Sequence, residues 1–264
     1  MSGRLFLFGL GYSAGFIAAA LRDRDWEVVS TGRAGDLAFD DGAGVRAGLA
    51  RASHVLSSVP PVDGHDPVLT RYGDALGHGW LGYLSSTGVY GDTKGAWVDE
   101  SASTGQGRRS ARALADVAWL ARSARVFRLP GIYGPGRSAL ERVREGKAHR
   151  IDLPEQVFSR VHVADIASGV IAGLDGPPGA YNLADGLPCS QNAVIEEACR
   201  LLGLELPPLQ TLDQAGLSPM AREFYAENRR AANGKARRVL GWAPRYSDFR
   251  SGLRALAEAR ERDQ

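Results

Sequence analysis

Gly9, Gly11 and Ala14 stand at the spacing G-x-G-x-x-A, with Tyr12 and Ser13 among them. That spacing suits a dinucleotide pyrophosphate. Gly9 can take the positive φ that a tight turn demands, and Gly11 has no Cβ to hold a phosphate away. Ala14 is small enough for a helix to pack closely on a strand, and the free N–H groups at the start of that helix face phosphate charge. A glycine turn in some other α/β protein would use the same residues, so the motif draws its meaning from context. Hydroxyl and basic side chains recur at the ends of three later apolar runs. Thr31 and Arg33 close 26-WEVVSTGR-33. An acid at that strand end would accept from a ribose 2′-hydroxyl and select NAD; Ser30, Thr31, Gly32 and Arg33 stand there instead, and the Arg33 guanidinium suits a 2′-phosphate. The cofactor expected is therefore NADP, NADPH over NADH, with NAD as the alternative and a plain surface role competing for Arg33. Ser57 and Ser58 end the run 54-HVLSSVPP-61, and Ser86 and Thr87 lie in 80-WLGYLSSTGVYG-91. Both runs would bring hydroxyls to the carboxyl edge of a sheet, where α/β ligands bind.

Alternating strands and helices must position these groups. Leu5 to Phe8 is a buried-strand run, and Tyr12 to Leu21 reads as a helix. The stretches 26–33, 54–61 and 80–91 read as strands, 44–53 and 67–76 as helices, and Asp36–Asp40 as a brief strand. Such alternation indicates an α/β fold with a parallel sheet. At 264 residues the chain is one large α/β unit or a core with a smaller lobe. With 44% hydrophobic and 23% charged residues it has the composition of an ordinary globular protein. Its 32 basic and 30 acidic residues leave a net charge of +2, so no general attraction to nucleic acid or membrane is implied. The late arginines Arg229, Arg230, Arg237 and Arg238 form either a solvated face or a receptor for a negative ligand. Cys189 and Cys199 fit no zinc or redox spacing, and no metal site is expected. No apolar run has the length of a signal peptide or a membrane span, so a cytoplasmic location is expected.

Four stretches follow the glycine loop in a telling order: LSSTGVYG at 84–91, 128-RLPGIYGPGR-137, 159-SRVHVADIASGV-170 and 180-AYNLADG-186. With the glycine loop they resemble the extended short-chain dehydrogenases/reductases of the NAD-dependent epimerase/dehydratase group, over residues 5 to about 186. The resemblance implies a Rossmann-type doubly wound parallel sheet with a smaller C-terminal substrate lobe. Residues 1–182 would be mainly the NAD(P)-binding core, with 136–158 contributing to the cap, and 183–264 mainly the small lobe, interleaved with the core. It places the catalytic Ser/Thr at Ser86, with Thr87 beside it, and brings Pro130 next to the nicotinamide. The expected cofactor contacts are Gly9, Gly11, Tyr12, Ser13, Ala14, Thr31, Arg33, Ser57, Ser58, Ser86, Arg112 and Pro130.

The departure from the pattern is equally specific. At the place where the family keeps its Tyr-x-x-x-Lys pair the pair is absent; Arg112 stands at the lysine position and Arg108 at that of the tyrosine. An arginine has no proton to give near neutral pH. Such a chain resembles an atypical subgroup that keeps the fold and cofactor site without the standard tyrosine. Tyr90 and Tyr133 lie inside the matched stretches 84–91 and 128–137, and either replaces the lost acid or packs against the cofactor. By the same resemblance Arg160 and His162 approach the substrate, His162 being a further proton source or an interdomain hydrogen bond. Arg229 and Arg230 would meet a nucleotide or phosphate from the small lobe. Helices are expected at 138–145, 166–174 with Asp165 as N-cap, 191–204 and 248–260 with Asp248 as cap. The resemblance also implies pairing of two core helices into a homodimer. The leading expectation is an NADP-preferring oxidoreductase or epimerase-like enzyme on a small polar or nucleotide-linked substrate. A non-catalytic NADP(H)-binding sensor or assembly factor is the alternative; a DNA-binding regulator has only the late arginines in support.

Overall fold

The computed structural model describes residues 3–105, 107 and 110–262. Arg108, aligned with the family tyrosine, lies outside the described residues. The first half of the chain runs β1 (Arg4–Phe8), α1 (Tyr12–Arg22), β2 (Glu27–Ser30), α2 (Gly42–Arg51), β3 (His54–Ser57), α3 (Pro67–Tyr72), β4 (Trp80–Ser86), β5 (Trp97–Val98) and α4 (Ser110–Leu120). Next come β6 (Arg125–Leu129), β7 (Gly131–Tyr133), α5 (Ala139–Arg144), β8 (Arg150–Ile151), β9 (Arg160–His162), α6 (Val163–Ala172) and β10 (Gly179–Asn182). The last part holds α7 (Gln191–Leu202), β11 (Leu209–Gln210), α8 (Pro219–Phe224), β12 (Arg230–Ala231), α9 (Gly234–Leu240) and α10 (Phe249–Arg262). Among the described residues, no helix is long and apolar enough to cross a membrane.

The central sheet is parallel, in the order β2-β1-β3-β4-β6-β10. Strands covered on both faces must be apolar throughout, and Leu5, Phe6, Leu7 and Phe8 are all buried. One face packs on Ile17 and Leu21 of α1 with Ile166 and Val170 of α6. The other packs on Val45 and Leu49 of α2, Val68 and Tyr72 of α3, and Trp119 of α4. From β1 the chain adds β2 on one side, then crosses to add β3 on the other. The carboxyl ends of β1 and β3 therefore flank the topological switch point, where such sheets take ligands.

A separate apolar cluster joins Leu140 of α5, Val194 and Ile195 of α7, and Phe249 and Leu253 of α10. Short parallel ribbons, β7 with β9, β5 with β12 and β8 with β11, tie these segments to each other and to the core. After that excursion α9 returns, and Ala236 packs on the α1–α6 face of the sheet.

Two local expectations change. Residues 36–40 form no strand. The chain turns at Gly32, where φ is +132°, and the Asp36 carboxylate folds back to accept from Ser30 N and Oγ, both at 2.8 Å. Only a single bridge, Thr31 to Leu37, remains of a ladder. Helix α6 begins before Asp165, and its N-cap is His162, whose Nδ1 accepts from Ala164 N at 3.2 Å. Asp165 lies in the first turn and accepts from the backbone N–H groups of Arg245 at 2.6 Å and Tyr246 at 3.1 Å. A distant segment, invisible to local spacing, claims the carboxylate. Asp248 does cap α10, accepting from Ser251 N at 2.9 Å.

Candidate active site

The glycine loop is braced from behind and open in front. Gly9 has φ +83°, and a Cβ there would lie 2.9 Å from Ser58 Oγ. Behind the turn, buried Thr31 accepts from Gly9 N at 3.1 Å through Oγ1 and from Leu10 N at 2.8 Å through its carbonyl. Ser58 Oγ donates to the Gly9 carbonyl at 2.5 Å. Ser57 is fully buried, its Oγ accepting from Val59 N at 3.4 Å. In front, Gly11 is the N-cap of α1 without a side-chain cap bond, and a Cβ on it would meet nothing within 4 Å. The first N–H groups of α1 thus open onto free space with Ala14 buried beneath, a cradle that fits a dinucleotide pyrophosphate. Arg33 is exposed just beyond β2. Sequence reasoning missed Asp36 beside it, because the carboxylate reaches the end of β2 from six residues away.

A cavity of about 680 Å³ runs from this cradle along the strand ends. Tyr12, Ser13, Ser58 and Ala14 line the end formed by the loop; Ser86, Thr87, Arg112 and Pro130 line its floor. Ser86 Oγ accepts from Gly88 N at 3.1 Å, which fixes the hydroxyl at the start of a short helical turn. The Arg112 guanidinium donates to Tyr83 OH at 3.0 Å and sits over that ring, 5.9 Å from its centroid. Tyr12 donates to the Pro135 carbonyl at 2.9 Å, and the Arg137 guanidinium covers its ring.

Behind Ser86 lies a fully buried polar network. Ser85 Oγ donates to Asp116 Oδ2 at 2.6 Å, and Arg128 grips the same carboxylate with two bonds of 3.0 and 2.7 Å. Arg128 also donates to Tyr90 OH at 2.9 Å, and Tyr90 donates to Asn182 Oδ1 at 2.8 Å. Burial raises the Tyr90 phenol above its ordinary value, against the opposing pull of Arg128. Its hydroxyl is committed to this network. Arg128 opens a stretch visible in the sequence, but its network with Asp116 and Ser85 joins β4, α4 and β6 and exists only in the fold.

Tyr133 and His162 line no part of this first cavity. Tyr133 is buried, and burial together with Asp185, Asp165 and Asp248 raises its phenol. The His162 ring lies edge-on to Tyr133 at 5.2 Å and 4.2 Å from Tyr246. Burial, with Arg245 adding, pushes His162 down to about 4, so the imidazole is neutral at physiological pH.

The cap arginines separate. Arg229 lines the first cavity and pairs with Glu227 at 2.8 Å, donating also to the Gly91 carbonyl at 2.6 Å. Arg230 donates to the Gly95 carbonyl and lines neither large cavity. Buried Arg160 lines a second cavity of about 530 Å³ beside the apolar cluster of α5, α7 and α10. Glu227, Phe158 and Phe224 also line the first cavity; Phe158 and Phe224 stack at 4.3 Å. None of the three carried a motif that sequence reasoning could use.

No family model matches the chain. Among curated proteins it is similar to a 3-diazoavenalumate denitrifying reductase of a Streptomyces species, 32% identical over 143 residues. That match takes 48% of this chain and 45% of the relative, so the chain spans less than half the length of the curated relative it matches. Among solved structures it is similar to a functionally unknown conserved protein of Silicibacter pomeroyi, 40% identical with a TM-score of 0.86, covering 98% of this chain and 99% of that one. A human epimerase family protein solved with NADPH has a TM-score of 0.76 at 16% identity, covering 96% of this chain and 99% of that one.

Proposed function

We propose that this chain is an extended short-chain dehydrogenase/reductase of the epimerase/dehydratase-like group, and an NADP-preferring oxidoreductase or epimerase-like enzyme for a small polar or nucleotide-linked substrate. The observation that carries this reading is one cavity in which the open start of α1, the hydroxyls of Ser86 and Thr87, and Arg112 meet. A nicotinamide dinucleotide, when bound, exchanges a hydride with a carbinol or carbonyl carbon. The chain's own residues would bind and orient. Gly11, Ser13 and the first turn of α1 hold the pyrophosphate. Arg112 contributes fixed positive charge where the family keeps a lysine. Ser86 Oγ already accepts from Gly88 N, so its hydrogen is directed to a substrate oxygen. Tyr90 is committed to Asn182, and Tyr133 and His162 lie off this cavity, which leaves Ser86 and water to deliver the proton.

Arg33 is the residue proposed to read the 2′-phosphate, and NADP preference rests on it. Asp36 supports the competing NAD reading, because its carboxylate stands at the end of β2 after all. Titration of the protein with NADPH and NADH, followed by nucleotide fluorescence, separates the two. Under the NADP reading Arg33→Ala weakens NADPH at least about tenfold and leaves NADH unchanged. Equal weakening of both, or tighter NADH binding by the native protein, overturns it. The absent tyrosine favours a second reading, a cofactor-binding sensor or assembly factor. Stoichiometric NADPH binding with no hydride exchange, and none lost in Ser86→Ala, would select that reading. A homodimer is supported by Leu114 and Val117, which α4 leaves exposed.

A further inference from the structure

The second cavity adjoins the first: Gly131, Ile132, Arg137 and Phe224 line both. Its volume of about 530 Å³ falls within the roughly 300–1,000 Å³ range of small-molecule sites. The body of the cavity is apolar, walled by Val194 and Ile195 of α7, Phe249 and Leu253 of α10, and the Phe224 ring. Arg142, Arg160 and Tyr225 supply a polar region. The Tyr225 hydroxyl feels the positive charge of both Arg142 and Arg160.

The hydrogen bonds of these guanidinium groups go to neutral partners. Arg160 donates to the carbonyls of Phe158 at 2.9 Å and Cys189 at 3.1 Å, and to Gln191 Oε1 at 3.0 Å, all of them neutral acceptors. Arg142 donates to the Lys147 carbonyl, again a neutral group. The two acids on the wall are engaged elsewhere: Glu141 closes the capping box with Ser138, and Glu145 pairs with Lys147 at 2.9 Å. An anion entering this cavity meets guanidinium groups whose hydrogen bonds, among the described residues, go to neutral acceptors, with Glu145 and Asp185 in electrostatic reach of Arg142 and Arg160. A nucleotide diphosphate is less well served. Arg229 is tied to Glu227 and Gly91, and Arg230 to Gly95.

Resting on the oxidoreductase reading above, we propose that the substrate is an amphipathic carboxylate. Its apolar, aryl-sized body fills the cap cavity, its carboxylate meets Arg142, Arg160 and Tyr225, and its reactive end passes Ile132 toward Ser86.

The test is calorimetric titration of the full chain with 3-phenylpropanoate, its neutral amide and UDP-glucose, each with and without NADPH. The acid binds, and the amide binds at least about tenfold more weakly, since a buried guanidinium rewards the charge. Arg142→Gln, a change at the exposed rim, weakens the acid about fivefold or more and leaves the amide unmoved. Val194→Phe fills the cavity and abolishes acid binding, while NADPH binding persists in both variants. Equal binding of acid and amide, or UDP-glucose binding alone, overturns the proposal. Absence of NADPH binding in the native protein would fall on the oxidoreductase reading instead; acid binding without the nucleotide still decides what occupies the cavity.

Discussion

Two buried polar clusters flank the cleft, and they are built to opposite rules. Under Ser86, the Asp116 carboxylate meets Arg128 and Ser85, and Arg128 passes the chain of hydrogen bonds to Tyr90 and Asn182. Asp116 and Arg128 are 0% and 3% exposed, yet each charge has its counter-charge. At the seam between core and cap, buried His162 Nε2 and Asp185 Oδ2 have no hydrogen-bond partner among the described residues. Burial pushes Asp185 up to about 7, against the opposing effects of its bond from Leu187 N and of Arg160. A fully paired network in low dielectric locks its members in place, while a partly paired one remains sensitive to protons. The network under Ser86 is therefore the locked one, and the seam is expected to respond to pH.

The largest expected effect would break the first cluster. Asp116→Ala leaves Arg128 buried without its counter-charge and costs about 3–5 kcal/mol in urea unfolding. Replacing both residues, Asp116→Ala with Arg128→Met, costs less than the sum of the single changes, because no lone charge remains. A loss below about 1 kcal/mol for Asp116→Ala would place the pair among ordinary surface bridges and erase the contrast. Next in size, Ser85→Ala removes one bond to a charged acceptor and costs about 1.5–3 kcal/mol. It should also lower any hydride exchange, because Ser85 anchors the strand end that carries Ser86.

The last effect is a change of slope with pH. His162 takes a proton in the unfolded chain near 6.5 but in the folded protein only near 4. Between those values the unfolded state binds more protons, so His162 makes stability fall as pH is lowered. Asp185 has the opposite sign. It holds its proton in the folded state up to about 7 but loses it near 3.8 when unfolded, so its contribution falls as pH rises through that window. His162→Gln should remove the acid-side loss, and Asp185→Asn the loss toward neutrality, both read as melting temperature against pH. Parallel curves for all three proteins would show that the seam does not titrate.

The first cluster also explains why part of the site was legible in the sequence. Glycine spacing, apolar strands and strand-end hydroxyls are local properties, and they marked Gly11, Ser58 and Ser86, which the fold brings to one cavity together with Arg112, expected from the family resemblance. Asp36 was hidden because its carboxylate returns to Ser30 by a loop. The N-cap of α6 was misassigned because Asp165 is claimed by backbone 80 residues further on.

Strand and helix order, the α/β class and the glycine turn before α1 were determined by the sequence itself. Each follows from periodicity and from conformations that only glycine adopts cheaply. Tertiary structure alone decided which charges found partners. Arg229 and Arg230 look alike in the sequence, yet one faces the cavity beside Glu227 and the other is spent on the Gly95 carbonyl. A side chain's charge is local, but its compensation depends on what the folded chain packs beside it.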